Sequence, residues 1–422
     1  MTGALVALTG AVFCITAAGA ATLHGDVFAI AIPLVAYLFA AVFRRPERLT
    51  LVLERSVSRA AVVQGEPVDC SLLLLNRGAS LDEVAVRERT PEGVARQDGE
   101  FSRLGALPEG AAFRLEQSIR CRRGIYSSFE TEVSACDFAG IFSFVETLES
   151  HAPILVRPEY RALRDAPVHP SGTRGFAGQA PTGQDGVGCA FLGVREYRAG
   201  DPLRRVNWKK AAKDERALFS NVFEQERVAD IGIVLDARRC MNISSPEDSL
   251  FEYSVEAAAA LAERFLDDGD RVSLLLFGGC VEWIFPGYGK KHTQRILDAL
   301  AKISPGKNYA LEGLVNLPIK LFPAKSTIFF ISPLGQDDLG PLCRMRANGH
   351  AVAAVSPDPV KFASNSAGDS TSQAYRLASA ERRALLRGLA GMGIRTADWD
   401  VRTPLEGALR KAFRGKPLFS PR

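Results

Sequence analysis

Two uncharged stretches at the N-terminus constrain this chain most. Residues 3–23 carry no charged side chain. As a helix rising about 1.5 Å per residue, that run is long enough for the roughly 30 Å hydrocarbon core of a bilayer. His24, Gly25 and Asp26 form a short polar break, and residues 27–43 are a second uncharged run. The second run is short for a span, but Arg44, Arg45 and Arg48 follow it and long basic side chains snorkel to an interface. Pro33 inside it is tolerated in a membrane helix. No Lys or Arg precedes the first run, while three Arg follow the second. The positive-inside rule therefore places residue 44 onward in the cytoplasm and makes this a multi-pass protein of the cell membrane, contacting lipid through residues 3–43. A secretory signal peptide is the competing reading, because Ala18-Gly19-Ala20 resembles a cleavage site. The missing basic n-region and the immediate second apolar run count against it. In either case the second run returns the chain to the cytoplasm.

The 422 residues suggest two or three domains. With 47% hydrophobic and 24% charged residues, the chain is neither disordered, collagen-like nor wholly membrane-embedded. A net charge of +4 gives no global reason to expect nucleic acid. Eight cysteines stand singly, with no CxxC pair, which excludes a zinc ribbon or thioredoxin motif and suits a reducing compartment.

After a membrane segment at 1–48, residues 49–160 read as a β-sandwich. Short strand-like runs at 49–53, 68–75, 84–86, 113–121 and 126–135 are separated by turn signals such as Asn76-Arg77-Gly78 and Thr90-Pro91-Glu92-Gly93. Residues 161–190 read as a linker, since 162–186 hold five Gly and three Pro. A basic segment occupies 191–228. Residues 229–422 alternate strands and helices, which implies an α/β domain with a parallel sheet covered on both faces. Apolar runs at 231–235, 272–277, 327–331 and 351–355 are its strands, with a shorter one at 394–399 and a hairpin partner at 280–285. Ser244-Ser245-Pro246-Glu247 reads as a helix start, and Phe251, Val255, Ala258, Ala262 and Phe265 fall on one face of that helix. Further helices are expected at 293–303, 339–347, 380–389 and 405–413. Sites in such sheets form beyond the carboxyl ends of strands, where Asp236 stands.

Residues 195–216 contain eight basic and four acidic side chains, a surplus equal to that of the whole chain. Arg195, Tyr197, Gly200, Asp201, Arg204, Asn207, Trp208 and Glu224 in this region resemble the signature of the domain-of-unknown-function fifty-eight family. Arg122-Arg123-Gly124-Ile125-Tyr126 and Asp137-Phe138-Ala139-Gly140-Ile141-Phe142 resemble two further stretches of that family, as do the two leading apolar runs. The resemblance implies a membrane-anchored protein with a β-sandwich and a doubly wound von Willebrand factor type A-like domain, similar to partners of MoxR-type AAA+ ATPases.

Physically, Gly200-Asp201-Pro202 is a turn in which Asp201 accepts backbone or arginine hydrogen bonds. Arg195, Arg204 and Arg205 present planar forks suited to carboxylates, and with Lys209 and Lys210 they are the candidate docking surface for an acidic protein partner. Tyr197, Gly200, Asp201, Asn207, Trp208 and Glu224 are read as structural, with Asp201 and Trp208 stapling the segment to its domain. A nucleic-acid partner is not expected, because no aromatic-interleaved platform surrounds the short patch.

Type A domains that bind a metal use a DxSxS stretch after the first strand. Here the stretch is Asp236-Ala237-Arg238-Arg239-Cys240, so only Asp236 of that set is retained. The later threonine position falls near Asn308, and Ser332-Pro333 stands where Ser-Asp would be expected. No divalent metal and no cofactor are expected; Asp236 is expected to pair with Arg238 or cap nearby backbone. No GxSxG, HExxH or P-loop is present, and His24, His151, His169, His292 and His350 have no motif partner. The expected function is therefore a non-enzymatic, membrane-anchored adaptor whose cytoplasmic domain docks a protein, in particular a MoxR-type AAA+ ATPase. A scaffold for membrane or envelope protein assembly, working through the sandwich, is the alternative. A thiol hydrolase built on Cys189 is a distant one.

Overall fold

The computed structural model describes residues 3–23, 25–43, 49–136, 143–164, 180–213, 217–245, 248–278, 281–306, 321–367 and 373–413. Gly3–Thr22 (α1) and Gly25–Phe43 (α2) are helices. Leu5–Thr22 is long and apolar enough to cross a membrane, whereas α2 offers the shorter apolar stretch Gly25–Ala40. One membrane-length helix therefore stands where two spans were expected. Phe13, Ile32 and Phe39 point outward rather than into a protein core. The hydroxyls of Thr9, Thr16 and Thr22 donate to the carbonyls of Leu5, Val12 and Ala18, one turn back, so these polar groups need no water. Arg44, Arg45 and Arg48 lie outside the described residues.

The chain divides into two compact units, Met1–Glu159 and Tyr160–Arg422. In the first, the strands after the helices are Leu51–Val57 (β1), Ala61–Val63 (β2), Pro67–Asn76 (β3), Leu81–Arg89 (β4), Val94–Gly99 (β5), Ser102–Leu107 (β6), Ala112–Cys121 (β7), Gly124–Cys136 (β8) and Ser143–Arg157 (β9). They form two sheets, in the orders β1-β3-β7-β5 and β2-β9-β8-β4-β6. Alternation explains the pairing of faces. Val68, Cys70, Leu72 and Leu74 of β3 and Phe113, Leu115, Ile119 and Cys121 of β7 turn inward. Leu72, Leu74 and Leu115 share a core with Val84, Val86 and Val133 of the other sheet. Asn76 closes the turn after β3: its amide donates to the carbonyls of Ala79 and Leu107, and its side-chain oxygen accepts from the Gly78 N–H. One feature of this core is ionic. Arg55 of β1 and Glu88 of β4 pair across the two sheets, fully buried. Gln117 donates to the same carboxylate, Arg55 donates to Ser150, and its guanidinium lies 4.4 Å from the centre of the Phe129 ring. The stretch 137–142 singled out in the sequence lies outside the described residues.

The second unit begins with a two-stranded ribbon, Ala180–Glu196 (β10) against Phe219–Arg227 (β11), joined by the one-turn helix Trp208–Ala211 (α3). Residues 180–186, read as linker, are thus extended and paired, with irregular register at Pro181/Asp185 and Gly186/Phe191 that accommodates their Pro and Gly. Residues 165–179 lie outside the described residues.

There follow Asp230–Asp236 (β12), Leu250–Asp267 (α4), Arg271–Phe277 (β13), Val281–Gly287 (β14), Lys290–Lys302 (α5), Thr327–Ile331 (β15), Leu339–Ala347 (α6), Ala351–Pro357 (β16), Pro359–Ala367 (α7), Gln373–Gly391 (α8), Arg395–Trp399 (β17) and Leu405–Phe413 (α9). The sheet order is β14-β13-β12-β15-β16-β17, with β14 antiparallel to β13 and the other pairings parallel. Every residue of β12, β15 and β16 is buried, because helices cover both faces. One core packs β12, β13 and β15 against α4, α5 and α9, and the other packs the same sheet against α6 and part of α8. Gly232 is required in β12, since a Cβ there would overlap the Phe322 ring.

Helix α4 starts at Leu250, capped by the Ser249 hydroxyl, and not at 244–247. Ser244 instead bridges to Ser249, and the Asn242 side chain accepts from the Phe251 N–H, so the earlier serines serve a loop. Pro246 and Glu247 lie outside the described residues. Helices α5 and α8 begin earlier than the sequence suggests, at Lys290 and Gln373.

Past the end of α4, buried Asp270 accepts a hydrogen bond from the Ala229 N–H at 2.9 Å. Burial pushes its carboxyl up to about 6, with Asp268 and Asp230 adding to the rise. The folded chain therefore holds a proton that the unfolded chain releases nearer pH 3.8. Stability falls as pH rises between those values, and above them the deficit levels off at about 3 kcal/mol. Asp270→Asn keeps the acceptor and removes the ionisation. Thermal unfolding of the detergent-solubilised chain is expected to show stabilisation by the substitution at pH 7.5 that vanishes near pH 4. An equal effect at both pH values would show that the carboxyl ionises freely in the fold.

Candidate functional site

Two groups of sequence-predicted residues are placed in separate parts of the second unit. The first lies at the carboxyl end of the parallel sheet. Asp236 ends β12 and is buried. Its Oδ1 accepts from the Arg238 backbone N–H at 3.0 Å and from Nε at 2.9 Å, and its Oδ2 accepts from Arg238 Nη2 and the Ser332 hydroxyl, each at 2.7 Å. Arg238 Nη2 also reaches Asp338 Oδ1 at 2.7 Å. Asp338 Oδ2 accepts from the Gly335 N–H at 2.8 Å. Leu334, between Ser332 and Gly335, adopts a φ of +64°, and its N–H donates to the Ser332 hydroxyl. The loop after β15 is thus bent around the arginine.

Burial alone would pull the Arg238 guanidinium down, but hydrogen bonds and charge from Asp236 and then Asp338 outweigh it and hold the group protonated. Burial pushes the Asp338 carboxyl up, opposed by Arg238. The positively charged guanidinium lies between the two carboxylates that a cation at this end of the sheet would use. The donor set does not fit a divalent ion, which requires several free oxygen ligands. Among the described residues, no three His, Cys, Asp or Glu side chains converge as metal ligands. The position near Asn308 lies outside the described residues.

A second buried arginine ties the neighbouring strand ends. Arg382 of α8 donates to the Pro333 carbonyl at 2.9 Å, the Ser356 hydroxyl at 3.1 Å and Asp398 at 2.7 Å, and its Nε lies 3.4 Å from Asp358. Arg382, Asp358, Asp338 and Asp398 escape a reading of the sequence because their partners are distant in the chain. For Asp338 a local signal existed, an acid in the loop directly after the third parallel strand.

The second group lies on the turn between β10 and β11. Arg195 donates to Asp201 through both Nη1 and Nη2 at 2.7 Å, and the Arg198 N–H donates to the same carboxylate at 3.0 Å. The Arg195 hydrogen bonds, followed by the backbone one, hold the Asp201 carboxyl below the usual carboxylate range. Tyr197 donates its hydroxyl to the Asp201 carbonyl, and Gly200 takes a φ of +107°, a conformation open to glycine. Arg195, Tyr197, Gly200 and Asp201 therefore close one turn together. Asn207 caps α3 by accepting from the Lys210 N–H at 3.0 Å and donates to Asn221 of β11 at 2.8 Å. Val206 of this segment packs inside.

Trp208, expected to staple the segment internally, is 64% exposed. It sits at the first position of the short helix, whose bracing comes from Asn207 and Val206, so its ring faces solvent. Leu203, Arg204, Lys209 and Lys210 are also exposed, while Arg205 is half-buried. The Lys210 ammonium lies 4.3 Å from the centre of the Phe219 ring. Glu224 belongs to β11, opposite Asp185. The side chains of Glu224 and Cys189 lie outside what is described.

Asp236→Ala would leave the buried Arg238 with one carboxylate and the Ser332 hydroxyl without its acceptor. A loss of about 3–5 kcal/mol is expected in denaturant unfolding. Asp201→Ala, which breaks a partly exposed pair, is expected to cost much less. Comparable losses would mean that the Arg238 cluster is not the stronger of the two.

No curated protein matches the chain at a significant level. Among solved structures, it is similar to a FixG-related protein from Vibrio parahaemolyticus, at 12% identity over 25% of this chain and 95% of that one, with a TM-score of 0.18. It is also similar to α2-macroglobulin from Escherichia coli, from domain MG7 to the C-terminus, at 16% identity, 28% and 18% coverage and a TM-score of 0.23. The cupredoxin domain of amoB from Nitrosocaldus yellowstonii aligns at 8% identity, 30% and 98% coverage and a TM-score of 0.20. Likeness at this level fixes no fold. Residues 193–360, which include the braced turn, β12 and the Arg238 cluster, match the family model described as Protein of unknown function DUF58.

Proposed function

We propose that the chain is a non-enzymatic adaptor of the cell membrane. In this reading α1 and α2 both cross the bilayer and the rest of the chain lies in the cytoplasm. The second unit is a von Willebrand factor type A-like domain that docks a protein partner, a MoxR-type AAA+ ATPase. The strand order and the aspartate ending β12 support the type A-like reading.

The observation that carries the docking role is the surface of the turn between β10 and β11. Leu203 and Trp208 are 69% and 64% exposed, among exposed Arg204, Lys209 and Lys210, on a turn fixed by the Arg195–Asp201 pair and the Asn207 cap. An aromatic anchor with cations around it, held on a preorganised turn, is how an acidic protein surface is recognised. With the sheet's carboxyl end closed by Arg238, a partner's carboxylate has no metal to bridge to and meets these cations directly.

The test is affinity purification of the full chain from detergent-solubilised native membranes, with and without R204E/K209E/K210E; half-buried Arg205 is left unchanged. An AAA+ ATPase is expected to co-purify with the parent and to fall by roughly tenfold or more with the variant, given that about 1.4 kcal/mol is a factor of ten. Its recovery should also decline as salt is raised. A partner retained equally by the variant would move the docking role to the β-sandwich and favour the assembly-scaffold reading. Unchanged thermal unfolding of the variant controls for folding.

A further inference from the structure

The carboxyl end of the parallel sheet holds a cavity that the Arg238 cluster does not fill. In open α/β sheets ligands bind beyond the carboxyl ends of strands, where the strand order reverses. Here the order reverses at β12, which lies between β13 and β15, and Arg238 with its two carboxylates occupies that place. Further along the same end, beyond β16 and β17, a cavity of about 810 Å³ lies between α7 and α8. Its walls are two helices and a pair of strand ends, and its size is that of a small-molecule pocket rather than a protein-docking surface.

On the strand side, the charges lining the cavity are matched to one another. Asp358 follows β16 and starts α7, accepting from the Val360 and Lys361 N–H groups at 3.0 and 3.2 Å. Asp358 and Asp398 both face buried Arg382, at 3.4 and 2.7 Å. The Lys361 ammonium lies 3.7 Å from Asp358 and 3.7 Å from Asp400. The wall formed by α8 differs. Arg376, Ser379 and Arg383 line the cavity from one stripe of that helix, three and four residues apart. Both arginines are exposed, and among the described residues neither is paired with an acid. Arg383 donates its Nε to the Ser379 carbonyl one turn back, which leaves its terminal nitrogens pointing onward. The two arginines leave the helix about 10 Å apart along its axis, with Ser379 between them.

Two such guanidiniums with a hydroxyl between them suit a phosphate. A carboxylate's two oxygens are satisfied in one plane by a single guanidinium fork, whereas a phosphate monoester presents three oxygens in different directions. The strand side of the cavity sets the rest of the ligand. The Asp398 side chain is 43% exposed there; it repels a ligand that is anionic throughout but accepts hydrogen bonds from hydroxyls. We propose that the cavity between α7 and α8 binds a small phosphate ester with a hydroxylated body, a sugar phosphate or a nucleotide. Its phosphate meets Arg376, Ser379 and Arg383, and its hydroxyls meet Asp398. This site shares no residue with the turn between β10 and β11 and does not depend on the adaptor reading.

The test is a phosphorus magnetic resonance titration of the full chain in a maltoside detergent, which contains no phosphorus. Ribose phosphate and adenosine monophosphate are the probes, with inorganic phosphate for comparison and succinate as competitor. Saturable line broadening of at least one ester at millimolar concentration is expected, with inorganic phosphate bound several-fold more weakly. Binding of both esters supports a sugar phosphate, and binding of adenosine monophosphate alone supports a nucleotide. R376A/R383A should raise the dissociation constant by roughly tenfold or more. Its thermal unfolding should match the parent's, because both positions are exposed and alanine suits a helix. R204E/K209E/K210E should bind the ester as the parent does. An unchanged dissociation constant in R376A/R383A, or no saturable binding of either ester, would overturn the proposal. Succinate competing as well as inorganic phosphate would overturn the phosphate assignment, and inorganic phosphate binding as tightly as both esters would overturn the hydroxylated body.

Discussion

A single buried guanidinium organises the carboxyl end of the parallel sheet. Arg238 donates two side-chain hydrogen bonds and one backbone hydrogen bond to Asp236, and another from its side chain to Asp338. Through Ser332 and Gly335 the same two carboxylates fix the loop after β15. The end of β12, that loop and the start of α6 are therefore one electrostatic unit. Removing such a cluster's centre leaves carboxylates buried together, whose repulsion and desolvation cost several kcal/mol. A divalent cation would serve the same purpose, but it exchanges with solvent and accepts ligands from a partner. An arginine supplied by the chain does neither.

That difference organises the rest of the unit. Charge inside is paired and fixed: Arg238 with Asp236 and Asp338, and Arg382 with Asp358 and Asp398. Charge outside stands on rigid supports. Arg204, Lys209 and Lys210 ride on a turn whose own ion pair is Arg195 with Asp201. In the proposed docking role, the preorganised cations around the exposed Trp208 ring act through shape and charge.

The parts legible in the sequence were those set by local pattern. The parallel strands β12, β15 and β16 appear as unbroken apolar runs because both their faces are covered, and α4 appears as a one-sided stripe ending in acids and a glycine. Asp236 at a strand end, and its pairing with Arg238, were legible because the two are neighbours. Contacts between distant positions were not. Arg55 and Glu88 meet only when the two sheets of the sandwich face each other, and Arg382 finds Asp398 and Pro333 only after α8 packs. Two local signals misled. Ser244 and Ser245 resemble a helix start but lie in the loop before α4, and the Gly- and Pro-containing residues 180–186 are held extended by β11 despite their composition. Trp208, expected to staple the segment to its domain, faces solvent, and the short helix is braced instead by the Asn207 cap and buried Val206.

The most direct test of an arginine standing in for a metal is Mn²⁺ titration of the purified full chain followed by electron paramagnetic resonance, with EDTA-treated protein as the start. A closed Arg238 cluster predicts that all added Mn²⁺ keeps the free-ion signal at the protein concentration used. One tightly bound ion per chain in the parent, lost in Asp236→Ala, would contradict it and return the carboxyl end of the sheet to metal-bridged recognition.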